Sequence, residues 1–146
     1  MPSVRGCNLP DDLLYDVDNH IWFSEVGDGT VKIGMTTVAT AMAGRLVAFT
    51  PKRVGRSVRA GKSCGTLESG KWVGPAKSAA GGEVVAVNDA MVNEPSTAND
   101  DPYEAGWLLI LKPEDWDSVK ATLVVGSDVA APYEAKMDSE GFGGCE

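Results

Sequence analysis

The chain contains no run of apolar residues approaching the roughly 18 needed to span a bilayer. Its opening, Met1 to Leu14, lacks an apolar stretch followed by a small-residue cleavage site, so no secretory signal is read there. A cytoplasmic protein without membrane association is expected. Cysteine is scarce: Cys7, Cys64 and Cys145 are far apart, and none belongs to a C-x-x-C pair. That pattern argues against a disulfide framework or a zinc site. Cys7 and Cys145 are therefore expected to be unreactive thiols on flexible ends, and Cys64 a small strand residue. His20 is the only imidazole, which excludes a His-based metal centre. With no Cys, Ser or Asp to orient it, His20 makes a weak general base and is read as structural, beside Trp22. No catalytic residue and no metal ligand is assigned; an enzyme is not expected.

Acidic residues are missing from one long stretch. Thr30 to Leu67 has no Asp or Glu, while Lys32, Arg45, Lys52, Arg53, Arg56, Arg59 and Lys62 supply positive charge. The whole chain nonetheless carries a formal net charge of −8. An acidic protein with one basic region fits docking to charged protein partners, because such fields steer encounter and orientation. The plainer alternative is a solvated basic face. Nucleic acid is a poor partner, since the net charge repels phosphate and no aromatic residues interleave with the basic ones.

What is present points to a small β-rich domain. At 146 residues, with 43% hydrophobic and 23% charged side chains, the chain suits a single core. Seventeen glycines and eight prolines imply many turns. Residues 19–25 and 30–34 read as strands around the Val26-Gly27-Asp28-Gly29 turn. Residues 36–43 fit a short helix capped by Thr36 or Thr37. Residues 46–49, 57–60, 64–68, 83–88 and 106–111 read as further strands, and 89–93 as a helical turn ended by Pro95. Residues 99–102 read as a loop. Pro113 is placed at the start of a helix whose Trp116, Val119 and Leu123 share one face. The expected organisation is a lead-in over 1–17, a carrier domain over 18–125 and a flexible tail over 126–146.

Ser69-Gly70-Lys71-Trp72 forms a polar apex between strand-like segments, with Gly74-Pro75 just beyond. Taken alone, a lysine at such a tip is a solvated charge. An exposed amine on a tight turn is also what a modifying enzyme needs, and Glu68, three residues earlier, is a candidate recognition charge for it.

Here the sequence resembles a known family. Gly65 to Lys71 (GTLESGK), followed by Gly81 to Asn88 (GGEVVAVN), is similar to the lipoyl-carrying H proteins of the glycine cleavage system. The resemblance continues through Asn93-Glu94-Pro95, Asn99 to Tyr103 and Gly106-Trp107-Leu108. Upstream, His20-Ile21-Trp22, Gly29-Thr30-Val31, Ile33 to Thr36 and Val54-Gly55 fall in the family's order, so that residues 18–118 are covered. The resemblance implies a mainly β, barrel-sandwich hybrid of the lipoyl/biotinyl-carrier type: two small sheets related by a pseudo-twofold, with small flanking helices. It further implies lipoate attached covalently to Lys71 (N6-lipoyllysine), with Glu68, Gly70 and Trp72 around the attachment point. Lipoate-attaching enzymes would be the first partners.

The apex departs from the family's Ser-Val-Lys-Ala, and His20-Ile21-Trp22 replaces His-Glu-Trp. Ser69 to Pro75 instead resembles the lipoate-binding proteins that serve the heterodisulfide-reductase-like system of bacterial sulfur oxidation. That branch is the favoured reading here, with the heterodisulfide-reductase-like complex and sulfurtransferases as partners. The alternative is aminomethyl transfer with glycine decarboxylase, aminomethyltransferase and dihydrolipoyl dehydrogenase. A third possibility is an unmodified binding or scaffold module. Biotin is disfavoured because biotin carriers flank their lysine with methionine. Gly61-Lys62-Ser63 lacks the spacing and context of a phosphate loop. Asp100, Asp101 and Glu104 lack the spacing of an EF-hand.

Overall fold

The computed structural model describes residues 3–145. Its first elements are β1 (Ser3–Val4), β2 (Cys7–Asn8), β3 (Leu14–Asp16), β4 (Ile21–Glu25), β5 (Val31–Met35) and α1 (Thr37–Ala43). Next come β6 (Leu46–Pro51), β7 (Ser57–Val58), β8 (Lys62–Ser69), β9 (Val73–Ser78) and β10 (Gly82–Val87). The helices α2 (Asp89–Asn93) and α3 (Thr97–Asp100) precede β11 (Leu109–Pro113), α4 (Trp116–Thr122) and β12 (Val124–Val125). A 3-10 turn at Gly126–Asp128 leads into α5 (Ala130–Glu140). One sheet runs β12-β3-β4-β5-β11-β10-β7, a second β6-β8-β9, and β1 pairs with β2. Every pairing is antiparallel.

The two main sheets enclose the core. Ile21, Phe23, Val31, Ile33, Val84, Leu109 and Leu111 come from the larger sheet, and Leu46, Phe49, Cys64, Leu67 and Ala76 from the smaller. This is the expected barrel-sandwich hybrid, although the sheets are unequal in size. Strand periodicity gives β4 two buried faces. Ile21 and Phe23 point into this core, whereas Trp22 points into a second cluster on the far side of the sheet. The Trp22 indole lies over Gly34, its register partner, where a methyl group would come within 2.3 Å of the ring.

The helix at 37–43 forms as expected, and Thr36 is its cap, accepting a bond from the Ala39 N–H at 3.2 Å. Trp116, Val119 and Leu123 do share a face against the main core. Pro113, however, ends β11, and the helix begins only at Trp116. Residues 99–102 were read as loop, but the first two belong to α3, whose Asn99 side chain accepts from Leu46 N–H and donates to Gly44 C=O. The Gly74-Pro75 break is part of β9, the edge of its sheet, where proline's missing N–H is harmless.

Both chain ends differ from expectation. The lead-in is packed: Val4, Cys7, Leu9, Leu13 and Tyr15 are buried. The tail is not flexible over 130–140 but forms α5, which buries Tyr133 and Met137 in the second cluster with Val38 and Trp22. Gly141 closes this helix at φ +67°, letting Phe142 N–H reach back to Met137 C=O at 2.9 Å. Cys7 and Cys145 are not free thiols. They form a disulfide across a separation of 138 residues, with Cα atoms 5.0 Å apart. Sequence spacing could not anticipate this bond, because the ends meet only once β1, β2 and α5 have packed together. Cys64 is free and buried, and burial pushes its thiol up to about 12.

Candidate functional site

The β8–β9 hairpin presents Lys71. Glu68 pairs with Val73, and Ser69 N–H donates to Trp72 C=O at 2.7 Å, so only Gly70 and Lys71 form the turn. Ser69 fixes that turn to the body of the domain. Its hydroxyl donates to Ala43 C=O at 2.6 Å and accepts from Lys71 N–H at 3.3 Å. Gly44, the cap residue after α1, has φ +85°, and a methyl group there would come 2.9 Å from Lys71 Cε. The lysine stem therefore lies across bare backbone at the end of α1, with the residue itself exposed.

Trp72 turns back over Gly74, where a methyl group would meet the indole at 2.5 Å. The indole is held rather than free, yet remains 38% exposed. It forms part of the wall of a cleft of about 250 Å³ lined mainly by Ile21, Met35, Ala39, Met42, Ala43, Leu67, Pro75 and Ala76. Asn19 and His20 supply the polar edge. This apolar cleft adjoins Lys71 through Trp72 on one side and Ala43-Gly44 on the other.

His20 has φ +57° and its ring is largely buried. Nδ1 lies 3.0 Å from Tyr133 Oη and Nε2 lies 2.7 Å from Glu140 Oε1. Burial lowers the imidazole pKa below its ordinary value, against a smaller raising effect from Glu140. Tyr133 Oη also lies 3.0 Å from Thr36 Oγ1, and burial raises the phenol well above its usual range. His20 is thus a structural group of the cleft wall, bonded to α5 rather than to Trp22, whose own N–H donates to Pro102 C=O at 3.0 Å.

Of the four residues expected at the site, Trp72 lines the cleft, and Lys71 precedes it at the exposed apex. Glu68 is exposed on β8, opposite Val73 and Ala48. The exposed Val47 and Val73 lie on the neighbouring strands β6 and β9. Gly70 meets no atom within 4 Å of where a side chain would begin, so the turn does not sterically demand glycine. Ser69 and Gly44 were missed as site residues. A glycine just after a predicted helix is a readable cap signal, but its contact with Lys71 joins segments distant in sequence. Among the described residues, no group of three His, Cys, Asp or Glu side chains is placed to hold a metal ion. No described helix is long and apolar enough to cross a membrane.

The donor set fits lipoate. An acylable, accessible amine sits at a tight apex, beside a cleft whose apolar walls suit an alkyl chain ending in a sulfur ring. The fold and this apex define a carrier domain of the lipoyl and biotinyl type. Comparison with known proteins then narrows the class. Residues 13–136 match the glycine cleavage H-protein family model. Glycine cleavage system H protein 5 of Aquifex aeolicus is 46% identical over 145 residues, which covers 97% of each chain. H protein 2 of the same organism is 38% identical over 138 residues, covering 94% of this chain and 86% of that one. The crystal structure of a glycine cleavage system H protein from Mycobacterium marinum superposes with a TM-score of 0.74 at 36% identity, covering 86% of this chain and 98% of that one. The chain belongs to the glycine cleavage H-protein family. Proteins of this family carry lipoate covalently on a lysine. These relatives support the aminomethyl-carrier alternative better than the sulfur-oxidation reading favoured from the apex.

Proposed function

We propose that this protein is a cytoplasmic lipoyl carrier, modified on Lys71, that works as a glycine cleavage H protein. The observation that carries the reading is the seating of Lys71 at a two-residue turn next to Trp72, which walls an apolar cleft. When bound, lipoate would supply a dithiolane that alternates between disulfide and dithiol forms. The chain's own residues supply placement. Ser69 and Gly44 orient the lysine, Gly70 leaves it unshadowed, and Trp72 with Met35 and Met42 offers an apolar wall that excludes water. Glu68, between the apolar Ala48 and Val73 on the neighbouring strands, gives a lipoate-attaching enzyme a charged mark to read. Partners on this reading are that enzyme, glycine decarboxylase, aminomethyltransferase and dihydrolipoyl dehydrogenase. Tethering keeps the cargo at high effective concentration between their sites.

A second reading, sulfur transfer with heterodisulfide-reductase-like partners, is favoured by one feature: the indole of Trp72 beside the attachment point. Intact-mass spectrometry with peptide mapping, on protein from its native cells, tests the carrier assignment. One lipoyl mass on Lys71 is expected, and Lys71→Arg should abolish it while the melting temperature stays nearly unchanged. A native protein free of the adduct, in cells that lipoylate other proteins, would refute the assignment. Extra sulfur on the arm would favour the second reading.

A further inference from the structure

The Cys7–Cys145 bond has no part in the carrier reading, yet its position ties it to the cleft. Cys145 N–H donates to Arg5 C=O at 3.0 Å, so the last described residue is bonded to the turn between β1 and β2. Arg5 in turn donates to Phe142 C=O at 3.1 Å and pairs with Asp138 on α5. The disulfide thus closes a clamp that holds the segments around Cys7 and Cys145 against α5. From α5, Tyr133 and Glu140 hold the two ring nitrogens of His20. His20 forms the polar edge of the cleft. Met42, on the cleft's apolar wall, also packs against the cluster containing Cys7, Tyr133 and Met137. Covalent bond, helix and cleft wall form one contiguous set of contacts.

We propose that Cys7 and Cys145 form a redox lock, whose oxidised state clamps α5 against His20 and whose reduction frees α5 and loosens the cleft beside Lys71. The natural reductant is a protein dithiol of the thioredoxin class. Cys7 is wholly buried whereas Cys145 is partly exposed, so attack falls on Cys145 Sγ. The attacking thiolate forms a mixed disulfide with Cys145 and expels Cys7 as thiolate. The reductant's second thiol resolves that bond. Two electrons and two protons pass in all: the dithiol becomes a disulfide, and the cystine becomes two cysteine thiols. Without its crosslink, α5 is held by two large buried side chains, the Arg5 pairs and the His20 bonds, the kind of peripheral unit that opens independently of the rest. The consequence for a lipoyl arm rests on the carrier reading; the response of α5 does not.

The test is hydrogen–deuterium exchange on the full chain, before and after reduction with dithiothreitol and thiol trapping by alkylation. Before reduction, Cys7 and Cys145 should resist alkylation even in denaturant. After it, amides of 130–142 should exchange roughly tenfold faster or more. Amides of 19–21 should follow, while β8 stays protected. Cys145→Ser in non-reducing buffer should reproduce the reduced pattern; if that variant does not fold, the reduced wild type still decides. Ready alkylation of both cysteines in the denatured but unreduced protein would overturn the proposal. So would unchanged exchange at 19–21 once the bond is broken, and both results would leave the mass of the Lys71 adduct as a separate matter.

Discussion

His20 shows how little of a side chain's role its neighbours in sequence can reveal. Its ring partners, Tyr133 and Glu140, lie 113 and 120 residues away, so no local pattern could have named them. Burial outweighs the Glu140 carboxylate and lowers the imidazole pKa from its ordinary value. Because the chain has one histidine, its titration by NMR is unambiguous. A midpoint below about 6.5 is expected; a midpoint above it would show that the carboxylate dominates. The linkage has a definite sign. Above that pH neither state binds the proton, and His20 leaves stability intact. As pH falls towards the lowered folded value, the unfolded chain takes up the proton first, so stability drops. The place of Lys71 and Trp72 at a hairpin apex, by contrast, was legible, since a turn depends on adjacent residues; the lipoyl role of Lys71 came from the family resemblance alone. Trp72→Ala should change stability by less than about 1 kcal/mol, given its partial exposure. It should slow transfer to the proper partner, measured as turnover of the lipoylated carrier. Equal rates would remove the indole from the function.

Strands and short helices separate into those encoded locally and those imposed by packing. The hairpin at 21–35, α1 with its Thr36 cap, and α2 were readable because turn and cap residues mark them directly. The apex hairpin was readable for the same reason. The α5 helix was not: its sequence, AAPYEAKMDSE, places only Tyr133 and Met137 on the buried side, and Pro132 looks like a breaker. In the structure that proline occupies the first turn, where its missing N–H matters little. The weight of α5 therefore rests on Tyr133. Tyr133→Phe removes bonds to Thr36 and His20 and should cost roughly 1–2 kcal/mol. Tyr133→Ala also leaves a cavity and should cost about 3–5 kcal/mol. Urea denaturation of the two variants separates these contributions; near-equal losses would mean that the ring itself contributes little.

For the molecule as a whole, charge and covalent closure matter more than any single contact. Lys52, Arg53, Arg56, Arg59 and Lys62 are exposed, and among the described residues none makes an ion pair. They gather towards the Lys62 end of β8, roughly 25 Å of strand from the apex. The composition announced this basic region but not its distance from Lys71. The disulfide is the larger departure from what the sequence revealed. In the chain-entropy model, closing a loop of this length is worth up to about 5 kcal/mol. Reduction should accordingly lower the melting temperature by roughly 10 °C, read by calorimetry with and without dithiothreitol; an unchanged temperature would mean the bond adds no stability.

That bond also changes what a cut means. Because Cys7 and Cys145 are joined, the backbone between them is a closed ring. A protease that nicks one loop of this ring, such as the exposed stretch around Val54, leaves two pieces still joined through the disulfide. The product would weigh one molecule plus one water, and its fragments would part only once the protein is denatured and reduced. Damage at one loop thereby leaves both halves of the fold covalently joined rather than separated.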